Sequence, residues 1–291
     1  MSRERLYSPK VIKQLLKAFD FSFSKGLGQN FLIDGNVVRA ISEGAEITKD
    51  DYVLEVGPGF GTLTEELLMK AKKVVSVEID ERLNQVLMQT LSGFDNFVLV
   101  NADILKADLK RLVEEQFDNQ PFKVVANLPY YITTPIIELF LKNDLNVESL
   151  TVMVQKEVGD RILANPGNKT YGSLTVFTQY YADASLVTRA PKSVFMPQPK
   201  VDSVVIKLDM KKELPQVDEK VFFKLMRGAF TKRRKNILNS LTTDTSLAIS
   251  KEEMKAILES LNLSTNLRAE DLSYIDYLNI AELVEKKHKV D

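Results

Sequence analysis

A chain of 291 residues with no Cys and one His (His288, in a Lys-rich tail) excludes a disulfide framework, a thiolate metal site, a two-His zinc site and a His-based triad, so no metal is expected. Lys and Arg number 39 against 40 Asp and Glu, a formal net charge of −1, so affinity for nucleic acid has to come from local patches. The length suits one larger and one smaller domain; a charged N-terminus and the lack of any long apolar run predict a cytoplasmic protein with no membrane association.

Ser8-Pro9 predicts an N-cap followed by Pro at the first helical position, and Val11, Ile12, Leu15, Leu16 and Phe19 give an apolar stripe at helical spacing. In the segment 24–32, Gly26 and Gly28 flank Leu27 and are followed by the amides Gln29 and Asn30; composition alone favours a loop before a helix capped by Asp34. Residues 52–56 are an apolar run that ends in Gly57-Pro58-Gly59-Phe60-Gly61, with Leu63, Leu67 and Leu68 at helical spacing beyond. Strand, glycine turn and helix form the context of a nucleotide-binding loop. The spacing is G-x-G-x-G and Pro58 is unusual for a pyrophosphate loop, which shifts weight from a dinucleotide to a smaller nucleoside.

A second strand over 74–80 carries Glu78, about 20 residues after Gly57, where a carboxylate accepts hydrogen bonds from ribose hydroxyls. A third over 97–100 runs into Asn101-Ala102-Asp103; that carboxylate either accepts from an adenine amino group or caps a turn. A helix over 107–117 and a strand over 122–126 deliver Asn127-Leu128-Pro129-Tyr130, with Tyr131 behind and a helical pattern from Thr134. Strands follow over 149–156 and 201–208. Between them lie a helix or apolar segment over 172–181 and a loop behind Phe195 stiffened by Pro197 and Pro199. The alternation predicts an α/β fold, a parallel sheet with helices on both faces. Strand signals stop after Lys211, and Phe222, Phe223, Leu225, Met226 and Phe230 open an all-helical tail that runs to about Lys287.

Asn127 to Tyr130 is the stretch with chemistry in it. An amide, a proline that is cis or kinks the turn, and an aromatic at a strand end form a cradle for a flat base with an exocyclic amine. The N6 amine of adenine is a weak nucleophile because its lone pair is delocalised into the ring. Acceptors on both N–H bonds, the Asn127 side-chain oxygen and the Leu128 carbonyl, favour the localised pair and gain strength as charge develops during attack on a sulfonium methyl. Pro129 aims the two acceptors, and Tyr130 offers a face for the base. No strong base is required, which suits a chain with one His.

Lys25 to Leu32, Glu55 to Gly61, Glu78, Asn101-Ala102-Asp103, Asn127 to Tyr130 and Phe195-Met196-Pro197-Gln198-Pro199-Lys200-Val201-Asp202-Ser203 occur in this order. Together they resemble the rRNA adenine dimethylase family, in its small-subunit branch, over essentially the whole chain; Gly26 departs from the Ala or other small residue frequent there. The resemblance implies a Rossmann-like S-adenosylmethionine-dependent methyltransferase domain over residues 1–211, with an N-terminal helical extension, and a small all-helical RNA- and substrate-binding domain over 212–291. It implies a transferase acting in rRNA processing and late ribosome biogenesis. The expected product is N6,N6-dimethylation of two adjacent adenosines near the 3′ end of 16S rRNA, within the 30S subunit or its precursor, by a monomer. Carried over by position, Asn30, Leu32, Gly57, Gly59, Glu78, Asp103 and Asn127 contact the donor. Asn127, Leu128, Pro129 and Tyr130 hold the target base, and Phe195 stacks on its other face.

Lys224, Arg227, Lys232, Arg233, Arg234 and Lys235 form a local basic cluster that reads as a phosphate-contacting surface in such an enzyme. Three alternatives stand beside this reading. The branch that methylates 23S rRNA more often has Asn-Ile where this chain has Asn127-Leu128. A nucleic-acid-binding protein with a vestigial site does not fit the intact glycine loop, Glu78 and Asn127 to Tyr130. A nicotinamide-dependent oxidoreductase lacks its G-x-G-x-x-G spacing here.

Overall fold

A computed structural model describes residues 4–142, 144–243 and 249–288. The chain divides into two compact units, Met1–Gly159 with Ala184–Met210 and Asp160–Asp183 with Lys211–Asp291.

In the first unit, helix α1 (Pro9–Ala18) starts with Pro9 in its first turn; Ser8 precedes it but donates its hydroxyl to Glu4 Oε1 at 2.8 Å and leaves the helix backbone uncapped. Strand β1 (Phe31–Leu32) leads to α2 (Gly35–Gly44), where the Asp34 carboxylate accepts from the Asn36 and Val37 amides as predicted. The chain then alternates β2 (Tyr52–Val56), α3 (Thr62–Lys70), β3 (Lys73–Glu78), α4 (Arg82–Thr90), β4 (Phe97–Asn101), α5 (Leu109–Phe117), β5 (Phe122–Asn127), α6 (Thr133–Lys142), β6 (Val147–Gln155) and α7 (Lys156–Ile162). The helix expected from 107 starts at Leu109 because Asp108 serves as its cap and accepts from the Arg111 amide. Strands β7 (Ala182–Ala190), β8 (Phe195–Met196) and β9 (Ser203–Met210) complete the set; the chain passes between units within α7, within β7 and after β9.

The main sheet has the order β4-β3-β2-β5-β6-β9-β7. Strands β2 to β6 run parallel, but β9 lies antiparallel to β6, so the expectation of a parallel sheet holds for five strands and gives way to a mixed one. Neither β7 nor the two-stranded ribbon of β1 and β8 was legible in the sequence. The β7 strand is largely solvent-facing, and two-residue strands are too short to show a period. The central strands carry near-continuous apolar runs because both faces are covered: Val53, Leu54, Val124, Val125 and Ala126 are fully buried.

Strand order reverses at β2, whose neighbours are β3 on one side and β5 on the other. At such a switch point the connections leave in opposite directions and open a crevice at the carboxyl ends of the strands. The Leu128–Pro129 bond is trans, with Pro129 at φ −59° and ψ 131°; the cis peptide among the described residues is Met196–Pro197.

The second unit is helical: α8 (Ser173–Tyr181), α9 (Glu219–Thr231), α10 (Ile237–Thr243), α11 (Lys251–Ser260) and α12 (Tyr274–His288). Its core is aromatic. Tyr180 lies 4.8 Å from Phe222 and 5.0 Å from Phe223, ring centre to ring centre, and Phe177 lies 5.5 Å from Phe223. These contacts are why residues 160–183, which precede the last strands of the sheet in sequence, pack with the C-terminal helices. No helix among the described residues is long and apolar enough to cross a membrane.

Leu54 sits in register with Val75 and Val124, all three fully buried. Leu54→Ala is expected to lower unfolding free energy by about 3 kcal/mol in urea titration through lost burial and a residual cavity; a loss under ~1 kcal/mol would show that the sheet collapses around the gap.

Candidate active site

The crevice at the ends of β2, β3, β4 and β5 is a cavity in the first unit. Its floor is the glycine loop. Gly57, Gly59 and Gly61 have φ of 69°, 58° and 82°, the left-handed region that costs other residues energy. A Cβ built on Gly59 would lie 2.7 Å from the Phe31 ring, whereas one on Gly57 would meet nothing within 4 Å and would project into open space. The loop is held from below by Phe60, whose ring centre is 4.5 Å from Phe31 and 5.1 Å from Phe21.

Carboxylates dominate the wall. Glu78, at the end of β3, is 6% exposed and accepts from the Asp80 amide at 2.9 Å and the Gly59 amide at 3.4 Å; burial pushes its carboxyl above the ordinary range. Asp103 follows β4 and accepts from the Leu105 amide at 3.1 Å, with Lys106 Nζ 3.3 Å from its other oxygen. Glu55 on β2 is 1% exposed and takes hydrogen bonds from the hydroxyls of Thr64 (2.7 Å) and Ser76 (2.6 Å). Burial raises its carboxyl to about 7, and the nearby Glu78 adds to the rise. Among the described residues no Lys, Arg or His lines the cavity. A pyrophosphate would meet acids and no cation there, while a cationic ligand or a donor of N–H and O–H groups fits.

Asn127 stands at the end of β5. Its Nδ2 donates to the Asn30 carbonyl at 2.9 Å, which leaves Oδ1 as the end of the amide available to accept. The Asn30 side chain turns back onto the Gly28 carbonyl at 3.0 Å. Leu128 is 1% exposed and its amide donates to the Met153 carbonyl at 3.2 Å, which ties the turn to β6. The Tyr130 hydroxyl meets Ser203 Oγ at 2.8 Å and fixes a half-buried ring; burial raises the phenol above its ordinary value. Tyr131 is exposed and packs on Gly28, where a Cβ would come within 3.2 Å of its ring.

Asn30, Leu32, Gly57, Gly59, Glu78, Asp103, Asn127, Leu128, Pro129 and Tyr130 all line this cavity. Phe195 does not. Its place in β8 opposite Leu32 puts the ring in the hydrophobic core, 3% exposed, so as it stands it offers no face to a base. The ribbon register that buries it has no signature in the sequence. Glu55 joins the site beyond the residues expected from the sequence, although a carboxylate inside an apolar strand is a visible signal. So does the Asn30 carbonyl, a backbone group with no side-chain signal at all.

In the helical unit, Arg227, Lys232, Arg234 and Lys235 are exposed and Lys224 is half-buried. Arg233 is committed locally: Nη2 donates to the Lys169 and Tyr171 carbonyls at 2.9 and 3.0 Å, and Nε lies 3.5 Å from Glu270.

The family model described as Ribosomal RNA adenine dimethylase matches residues 20–286. A Ribosomal RNA small subunit methyltransferase A from Alkaliphilus oremlandii is 45% identical over 287 residues, 98% of this chain and 99% of that protein. The protein of that name from Macrococcus caseolyticus is 47% identical over 296 residues, 98% of each. Among solved structures, a dimethyladenosine transferase from Plasmodium falciparum superposes with TM-score 0.77 at 27% identity, covering 89% of this chain and 98% of that one. The 23S rRNA methyltransferase ErmE superposes with TM-score 0.71 at 30% identity, covering 88% and 100%.

Glu55 gives a pH test. Its folded value, about 7, lies above the ordinary 4.5, so the fold favours the protonated acid. That contribution is fully present below the unfolded value and is lost as pH rises through the folded one. Glu55→Gln, which cannot ionise, is expected to gain on the wild type by up to about 3 kcal/mol between pH 4 and pH 8 in urea unfolding. An equal difference at the two pH values would show that folding leaves the Glu55 carboxyl at its ordinary value.

Proposed function

The chain belongs to the ribosomal RNA adenine dimethylase family, and from that membership we propose that it moves methyl groups from S-adenosylmethionine to the N6 amines of two adjacent adenosines near the 3′ end of 16S rRNA. The substrate is the small ribosomal subunit or its precursor in the cytoplasm, and the enzyme works as a monomer. The relatives named for the small subunit are 44–47% identical over 93–99% of this chain, against 30% for the enzyme of 23S rRNA, which favours the small subunit as substrate.

The observation that carries the reading is the orientation of Asn127. With Nδ2 bound to Asn30, Oδ1 is the end that meets an amine, and the Leu128 carbonyl is the second acceptor. Two acceptors on the N6 hydrogens localise the nitrogen lone pair and bind more strongly as the nitrogen becomes cationic. When bound, the donor supplies an electrophilic methyl on a sulfonium. The acidic wall suits it: Glu78 takes the ribose hydroxyls, Asp103 the adenine amino group, and Gly57 leaves space for close approach. With the donor bound, Asn127 Oδ1 and the Leu128 carbonyl would hold the N–H bonds of the nitrogen as it took the methyl and became cationic, and its proton would then leave to water, since no Lys or His among the described residues lines the cavity to act as a base. Tyr130, its hydroxyl pinned by Ser203, presents the stacking face.

On the helical unit, Arg227, Lys232, Arg234 and Lys235 contact RNA phosphates, while Arg233 holds the loop around residue 170. The double variant Arg234→Gln with Lys235→Gln is expected to weaken subunit binding and reduce the slope of log affinity on log salt by about 2. Its affinity for S-adenosylhomocysteine should stay unchanged. Arg233→Gln should lower thermal stability instead. Unaltered subunit binding by the double variant at moderate salt would remove this surface from the interface.

The deciding assay is transfer of labelled methyl to 30S subunits that lack the modification, with mass mapping of the product. Dimethyladenosine at two adjacent positions is expected, with kcat about 100-fold lower for Asn127→Ala. Label confined to 23S rRNA, or none on a competent subunit, overturns the assignment.

A further inference from the structure

At the edge of the cavity, which Gln29 helps to line, sits a polar cluster to which the chemistry above gives no part. Arg82, at the start of α4, grips Asp80 with two nitrogens, Nε to Oδ1 at 2.8 Å and Nη2 to Oδ2 at 2.6 Å. Asp80 is 6% exposed, and its Oδ2 also accepts from Gln29 Nε2 at 2.7 Å. Gln29 Oε1 in turn accepts from the Ser24 amide at 2.8 Å. Arg82 reaches the same segment twice more: Nη1 donates to the Ser22 carbonyl at 3.2 Å, and the guanidinium carbon lies 4.7 Å from the centre of the Phe21 ring. Two side chains, those of Arg82 and Asp80, thus fasten segment 21–29 to the end of β3.

The next residue in that segment is Asn30, whose carbonyl accepts from Asn127 Nδ2. An amide side chain has two ends of nearly equal size, so partners and not shape decide which end faces the cavity. With the Asn30 carbonyl in place, the nitrogen is bound and the oxygen is presented. If that carbonyl moves away, the amide is free to turn and offer N–H groups to an amine that is itself a donor.

We propose that Gln29, Asp80 and Arg82 are positioning residues that latch segment 21–29 to β3 and so keep the acceptor end of Asn127 aimed at the target amine, a role that rests on the function proposed above. On its other side the cluster braces Glu78, which accepts from the Asp80 amide at 2.9 Å. One latch therefore steadies both the acid assigned to the donor ribose and the amide assigned to the target. Arg82 is half exposed, so its Coulomb attraction alone is worth little. The bidentate geometry on a buried carboxylate, shared with Gln29, is what gives the cluster a fixed shape. The Arg82 pairing foremost, then Gln29, holds the Asp80 carboxyl below the ordinary range against the effect of burial.

The test reads the Asn127 amide directly, by NMR of the full-length protein labelled with nitrogen-15 at Asn, without ligand and with S-adenosylhomocysteine. In the wild type the Nδ2 hydrogens are expected to be protected from exchange and close to Asn30. Gln29→Leu, which leaves the Arg82–Asp80 pair intact, and Arg82→Leu should each abolish that protection, and Arg82→Lys should restore part of it. With 30S substrate, kcat of the two Leu variants should fall about 100-fold, with a smaller change in KM for S-adenosylmethionine. Folded Leu variants that keep the Asn127 protection and a kcat within about twofold of the wild type overturn the latch. Wild-type protein that fails on a competent subunit overturns the proposed function instead, because the amide resonance is read with no substrate present.

Discussion

One hydrogen bond joins the two halves of the chemistry: Asn127 Nδ2 to the carbonyl of Asn30, between residues 97 positions apart in the chain. Asn127 ends β5 and Asn30 immediately precedes β1, and both line the cavity at the carboxyl ends of the strands. The bond decides the sense of an amide that could equally be donor or acceptor. Under the proposed reaction, activation of an amine through its N–H bonds needs the acceptor sense, which here a backbone carbonyl and not a charged group would supply.

The electrostatics follow the same economy. Glu55, Glu78 and Asp103 line a cavity that lacks a basic side chain among the described residues. Each acid is engaged differently: Glu55 with hydroxyls, Glu78 with backbone amides, and Asp103 with an amide and an exposed Lys. Burying Glu55 and Glu78 costs stability, which a cationic ligand offsets on binding. A single fold thus selects a sulfonium donor over a phosphate-bearing dinucleotide, although both suit a glycine loop on a parallel sheet.

The helical unit follows other physics. Its aromatic core draws α8 out of the order in which the sheet is written, and along its basic run Arg227, Lys232, Arg234 and Lys235 are exposed, Lys224 is half-buried, and Arg233, though also exposed, closes hydrogen bonds on a loop. A run of cations is therefore not one surface by virtue of being one run.

The sequence by itself determined the strand–glycine loop–helix unit, the acids Glu78 and Asp103, the Asn127 to Tyr130 cradle and the helical tail. Those signals are local: a glycine that requires positive φ, a residue at a strand end, an apolar period. Only the tertiary structure decided the rest. The antiparallel β9, the unseen β7 and the ribbon that buries Phe195 depend on pairing between distant segments. The sense of the Asn127 amide and the Gln29–Asp80–Arg82 cluster depend on which backbone carbonyl and which carboxylate lie within 3 Å. Residue type says that a group is able to form a hydrogen bond; its partner is a fact of three-dimensional proximity, which a one-dimensional pattern does not contain.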